Sequence, residues 1–518
     1  MKPNILLLAA VLYGAAPIIA AAAVPKSAAP ATADDQLAEA AKAMGEFDYE
    51  RLMNDDAYAR AMLLHTERLA PGTEAVPELR DMVAVVRALA LGKLGRAKEA
   101  YQVSAAALAG GDANPSVYAT ALMAAGEIDD KAAMLHVYEA AAKLPEAPRG
   151  EFRSMMVDDL VIGLWRILHR DKDEAGRHRF AEALLALEWP DEGDISSRDF
   201  YRSIAIDRRI AAGEIAGARA LAAEIVKPTT LAELLLATKY DVLFPAGVDR
   251  TAMLQQSLPR YDRVTRERLE VAPADPKRLV QRGNALRALG RDEEALAVVL
   301  PFASDMKKVE AAGEDGFWVT NEAAFTLSAL GRHDEAVALY DKLLALGIDK
   351  YPDLVSMAIN RGEALTAAGR FKEASTYSAA QDAGKLYASP YGYMWVWSNA
   401  ACGHAMAGDA AGARPWLAKL EKGSEDNRAA HLRALLCAND MDAAEKVLIA
   451  RLKSDDGPQM LLKLQDYRDS GSSTGGAVAK VIEPRFLALR DRPAVREAIA
   501  GTGRILSLPL SKTYWGDY

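Results

Sequence analysis

A chain of 518 residues, half of them apolar and only 7% aromatic, is long enough for several cores or for one extended solenoid. The dominance of Ala over β-branched and aromatic residues excludes an extensive sheet and favours close-packed helices. The formal charge of −9, with Lys and Arg spread along the whole length, leaves no basic stripe for phosphate contacts, so no nucleic-acid partner is expected.

Lys2, an apolar run over residues 5–20 and the small residues Ala21, Ala22 and Ala23 follow the order of a secretory signal peptide, so residues 1–23 are expected to be removed near Ala23. Loss of Lys2 takes the formal charge from −9 to −10. Gly14 and Pro17 interrupt the run and no Cys follows it, which favours cleavage over a membrane or lipid anchor. No later stretch is long and uncharged enough to cross a bilayer. The mature chain is therefore read as periplasmic and not as an integral membrane protein. Residues 24–34, rich in Ala, Pro and Ser, read as a flexible linker.

Residues 35–268 carry helical periodicity with degenerate repeats. Within residues 79–109, Met82, Val83, Val86, Leu89 and Ala90 precede a turn at Gly95, and Ala100, Val103 and Ala107 follow it, which predicts a helical hairpin. The phrase at that turn, Gly-Arg-x-x-Glu-Ala, recurs at residues 290–295, 331–336 and 369–374. Gly95, Gly290, Gly331 and Gly369 are expected to close one helix, the Glu to favour the positive start of the next, and Ala100, Ala295, Ala336 and Ala374 to leave room where two helices cross. The Arg of the phrase is expected to be a solvated surface residue. Weaker echoes stand at Gly126, near Asp171, at Gly213 and at Gly247, of which Gly213 is the best formed.

A regular array occupies residues 269–455, opening where Asp275 caps a helix that begins at Pro276. Its turn glycines at 290, 331, 369 and 408 are 41, 38 and 39 residues apart, with an echo at Asn439 another 31 residues on. Small residues recur in the first helices at Gly283, Ala324, Gly362 and Ala401; Ala295, Ala336, Ala374 and Ala413 recur in the second, with Val299, Tyr340 and Leu417 one turn beyond. On these residues the chain resembles the tetratricopeptide repeat (TPR) family, although Ser378 replaces the bulky residue in the third copy and the large aromatic of the first helix is clear only at Trp397. The resemblance implies an all-α, right-handed superhelical solenoid of antiparallel helix pairs. Residues 456–518 read as a C-terminal cap with a closing helix or pair over 484–505 and an aromatic end, Tyr514, Trp515 and Tyr518, packed on the array or on a partner.

Cys402 and Cys437 are 35 residues apart, close to one repeat, so they are placed to face each other on neighbouring first helices, either as a disulfide or as two small buried side chains. Gly471-Ser-Ser473-Thr-Gly475 has the spelling of a nucleophile elbow but lacks a preceding strand, and reads as a linker. His169 and His178 lie among Arg166, Arg170, Arg177 and Arg179, a setting that repels a metal and reads as a salt-bridged face. Asp55 with Asp56, and Asp158 with Asp159, are adjacent acids that a helix points in different directions. No motif for a cofactor, metal or phosphate appears, so none is expected.

In the resembled family the first helices line a concave groove that holds peptides or partner helices. That implies a partner-binding surface built from Trp318, Asn321 and Phe325 on one unit beside Tyr391, Tyr393, Trp395 and Asn399 on another, with core packing as the alternative role for these aromatics. The residues that clamp a chaperone's C-terminal carboxylate in one branch of the family are replaced here by Val280, Asn284, Glu322, Ser356 and Asn360. The expected function is a periplasmic scaffold or adaptor for protein or peptide partners of the cell envelope, without catalysis. The alternatives are a cell-envelope enzyme acting on a glycan with carboxylates in the N-terminal half, and self-association through terminal units.

Overall fold

The computed structural model describes residues 42, 44–73, 76–109, 114–189, 195–384, 386–454, 456–468 and 476–512. The expected signal peptide and linker, the elbow-like Gly/Ser loop and the aromatic end lie outside these residues. The described chain is all-α, from Tyr49–Asn54 to Pro493–Thr502, and its one sheet is a parallel pair of two-residue strands, Asp466–Tyr467 and Ser507–Leu508. The helices run as antiparallel pairs in a TPR-like solenoid. They fall into two compact units, residues 42–189 with 200–212, and residues 195–199 with 213–512.

In the first unit, Pro77–Lys93 pairs with Ala97–Leu108, Pro115–Glu127 with Lys131–Ala141, and Asp158–Arg170 with Glu174–Ala186. A helix in this setting buries one stripe on its hairpin partner and another on the next hairpin, so Val86, Val117, Tyr138, Leu164 and Phe180 are almost fully enclosed. The echo at Gly126 is not a turn. It sits inside Pro115–Glu127, where an added Cβ would stand 2.7 Å from Leu160 Cδ2. The turn falls three residues later at Asp129, with φ 51°, and the next two fall at Lys172 (53°) and Glu188 (57°). These hairpins thus place ordinary residues in the left-handed region, at about 1–2 kcal/mol each.

In the second unit the repeating pairs are Pro276–Ala288 with Asp292–Ala303, Glu314–Ala329 with His333–Leu344, Val355–Ala367 with Phe371–Ala383, Pro390–Met406 with Ala410–Lys422, and Arg428–Ala438 with Met441–Leu452. Ala295, Ala336, Ala374 and Ala413 are at most 2% exposed at the crossings. The 41-residue interval is long because the extra helix Met306–Ala312 is inserted. Helices Ile215–Glu224, Pro228–Leu236 and Arg250–Val271 pack with this unit, so the boundary falls near 212, well before the change of rhythm near 268.

The C-terminal segment folds back along the carbonyl ends of the first helices instead of only capping the last pair. Arg468 donates to the Leu289 carbonyl, the Ser511 amide to Ala288 and Arg485 to Cys437, at 2.6, 2.9 and 3.0 Å. Such donors satisfy orphan carbonyls and place positive charge at the negative helix ends. Further on, Thr502 accepts from Thr238 and Arg504 pairs with Asp241 at 2.7 Å, tying the end of this unit to its beginning. The unit closes on itself.

Cys402 and Cys437 are joined by a disulfide across neighbouring first helices, with Cα atoms 5.1 Å apart. The reading of two separate buried thiols is thereby corrected. Cross-linking across 35 residues removes loop entropy from the unfolded chain, so Cys402→Ser/Cys437→Ser is expected to lose about 2–4 kcal/mol of unfolding free energy in a urea titration. At the closing junction, Glu233 lies on Pro228–Leu236 among Lys227, Lys239 and Lys463. Burial pushes its carboxyl up from 4.5 to about 7, against the pull of those lysines. An acid whose folded pKa is raised stabilises the fold fully below its unfolded value and loses that contribution as pH rises from 4.5 to about 7. Glu233→Gln is therefore expected to match the wild type at low pH and to exceed it by about 1–3 kcal/mol at pH ~8.

Candidate partner-binding site

Each repeated turn is one local device with two halves. The Gly takes φ of 73°, 71°, 76° and 75° at positions 95, 290, 331 and 369, and the amide after it reaches back to the carbonyl five residues earlier, as Arg96 to Leu91 at 2.8 Å. This is a Schellman closure, and only Gly enters it without strain. The Arg then stands at the start of the next helix and forks onto the Glu three residues on. Arg96–Glu99, Arg291–Glu294, Arg332–Glu335 and Arg370–Glu373 each form two bonds of 2.5–2.8 Å. The Arg side chains stay solvated at the surface, as expected, with 37–43% exposure, and each guanidinium also holds its Glu at the positive end of the helix.

Along the first helices the polar side chains are used internally. Arg287 and Glu322, each 4% exposed, form a bidentate pair at 2.7 and 3.0 Å, and Gly283 makes the room, since a Cβ there would stand 2.9 Å from Glu322 Cγ. Burial pushes the Glu322 carboxyl up while Arg287 pulls it down. Asn321 accepts from Tyr340 at 2.7 Å and from Asn360 at 2.8 Å. Asn399 donates to the Ile359 carbonyl and accepts from Arg433, both at 3.1 Å. Arg433 is fully buried, also donates to Thr366 at 2.9 Å, and lies 3.8 Å from Glu363. Except for Tyr340–Asn321, which joins the two helices of one hairpin, these bonds cross from one hairpin to another, so the row fixes the spacing of neighbouring first helices.

The seven residues expected to form one binding face are therefore divided. Asn321 and Asn399 are buried structural links, held apart by Val355–Ala367, which meets one through Asn360 and the other through Ile359. Phe325, under the Arg287 guanidinium, and Trp395, packed on the cluster of Met394 and Leu420, are half-buried. Tyr393 is half-buried, with its hydroxyl on the Leu386 carbonyl and its ring 6.1 Å from Trp397. Trp318 and Tyr391 remain on the surface, at 39% and 54% exposure, as does Tyr387 at 93%. Beside Tyr387, Ile348, Pro352, Val355 and Leu386 line a hollow of about 320 Å³.

Sequence reasoning did not single out Arg287, Arg433 or Glu363, and noted Glu322 only as the wrong residue for a clamp. The available signal was a charge set among Ala and Leu on a helix otherwise apolar all round, as in Ala-Ala-His-Leu-Arg433-Ala-Leu-Leu-Cys. Of the suspected acids, Asp55 caps a helix through the Ala57 amide and Asp56 pairs with Lys93 at 3.3 Å. The arginines near His169 and His178 meet acids, Arg179–Glu139 at 2.6 Å and Arg170–Asp171 at 3.0 Å. Among the described residues, no group of three or more His, Cys, Asp or Glu is placed to hold a metal.

A family profile described as "Tetratrico peptide repeat" matches residues 36–137 and 243–358, in agreement with the TPR-like fold. No curated protein matches the sequence. Solved structures that match include the "APC/C hetero-tetramer Cut9-Hcn1", at 12% identity over 88% of this chain and 95% of that one, with a TM-score of 0.27. "Naa15/Naa10 bound to HypK-THB" matches at 16% identity over 95% of this chain and 77% of that one, TM-score 0.27, and the "P58(IPK) TPR Domain" at 12% over 79% and 98%, TM-score 0.17.

The buried row yields a stability test. Arg287→Ala strands Glu322 as an uncompensated buried charge and is expected to lose about 3–5 kcal/mol in denaturant titration, whereas Arg287→Met/Glu322→Leu recovers most of that loss.

Proposed function

We propose that the chain is an exported, periplasmic scaffold that binds protein or peptide partners through the aromatic surface of its second unit, without chemistry of its own. The observation that carries this reading is the exposure of Trp318, Tyr387 and Tyr391, large side chains that an isolated protein would gain by burying, with an apolar hollow beside Tyr387. The first helices' polar groups, by contrast, are spent on one another. Export is supported by the order of charge, apolar run and small residues over 1–23, and the Cys402–Cys437 disulfide suits an oxidising compartment.

Mature protein used as bait in an envelope extract is expected to retain a specific partner, and Trp318→Ala/Tyr391→Ala to weaken that partner by roughly 30-fold or more, the range of an interface anchor of about 2 kcal/mol. Equal retention by the variant, or no retained partner, would overturn the reading.

A further inference from the structure

The first unit carries a second surface that the reading above does not use. Between helices Pro77–Lys93, Pro115–Glu127 and Asp158–Arg170 lies a cleft of about 210 Å³ with apolar walls that include Met53, Leu89, Met123 and Ile167. Roughly 150 Å³ of apolar space suffices for a benzene ring, so one large apolar side chain fits. Glu127, Asp129 and Asp159 also line it, and none of the three pairs with a cation or hydrogen-bond donor through its side chain among the described residues. The one Lys of the lining, Lys93, is engaged by Asp56 at 3.3 Å. Lys131, two residues beyond Asp129, is engaged by Asp171 and Asp173, and Arg96 by Glu99.

Two of these acids work against the local structure. Glu127 is in the last turn of its helix and Asp129 is in the turn that follows, both at the negative end of the helix dipole, and no basic residue occupies that last turn. The Glu127 side chain reaches solvent, but its carboxylate lies over Gly92, 3.9 Å from where a Cβ would stand, and burial pushes its pKa up. Uncompensated negative charge beside an exposed apolar cleft destabilises the chain on its own and becomes favourable when a ligand brings positive charge to it.

We infer that this cleft docks a partner-protein segment in which one Leu- or Phe-sized side chain is flanked by Lys or Arg. The apolar anchor enters between the helices and the flanking cations meet Glu127, Asp129 and Asp159. This surface belongs to a different unit from Trp318 and Tyr391, so either surface can fail without the other.

The test is fluorescence anisotropy with the full mature chain and three labelled peptides of equal length, one of Lys and Leu, one of Glu and Leu, one of Lys and Ser. The Lys/Leu peptide is expected to bind at least about tenfold more tightly than the other two, and to weaken as salt is raised from about 50 to about 300 mM. Glu127→Gln/Asp129→Asn/Asp159→Asn is expected to weaken it about tenfold at low salt and to flatten the salt dependence. Gly163→Leu should abolish binding with all charges kept, because Gly163 lines the cleft and a Cβ there meets nothing within 4 Å, so the new side chain fills the space without disturbing the fold. Trp318→Ala/Tyr391→Ala should bind the peptide unchanged. Equal binding of the Glu/Leu peptide, no effect of Gly163→Leu, or a dimer in sedimentation that Gly163→Leu dissolves would each overturn the proposal, the last by showing that a second copy fills the cleft.

Discussion

A helical hairpin has two apolar stripes and can bury only one of them against itself, so every pair in this chain depends on the next. That dependence explains the small residues at the crossings. Ala295, Ala336 and Ala374 are fully buried because the helices approach there more closely than a larger side chain allows, and Gly362 yields its space to Asn399 and Ser378. Ser378, where other repeats carry a bulky residue, is fully buried with its Oγ beside Gly362. The array is held by apolar burial, and polar groups only adjust its spacing.

The polar adjustment is nevertheless what decides the character of the inner face. Arg287, Glu322, Asn321, Asn360, Asn399 and Arg433 would make a groove rich in hydrogen-bonding groups if they pointed into solvent. They bond to one another across hairpins, so little of that capacity is left for a ligand. The returning C-terminal segment adds Arg468 and Arg485 on the carbonyl ends of the same helices. An inner face that a repeat protein could offer to a partner is here largely satisfied by the chain itself.

The two surfaces proposed for partners differ in kind and lie in different units. The second unit exposes aromatic area at Trp318, Tyr387 and Tyr391, which would supply affinity by burial. The first unit combines an apolar cleft with Glu127, Asp129 and Asp159, whose side chains form no ion pair among the described residues and would supply selection by sign. The two surfaces ask for partners of different chemistry.

The sequence by itself determined whatever is local. Gly-Arg-x-x-Glu-Ala closes one helix and starts the next within six residues, so the turns at Gly95, Gly290, Gly331 and Gly369 were legible from the phrase, and the all-α repeat architecture from composition and the family resemblance. The turns at Asp129, Lys172 and Glu188 were not, because a left-handed residue costs an amount that packing can override and leaves no required residue type behind. Tertiary structure alone decided the fate of Asn321 and Asn399, the bonding of Cys402 to Cys437, and the burial of Arg433 beside Thr366, 67 residues away. It also decided that residues 465–468 and 476–512 return to the start of their own unit. Each of those outcomes depends on a partner supplied by another hairpin, and no window of sequence contains both members of such a pair.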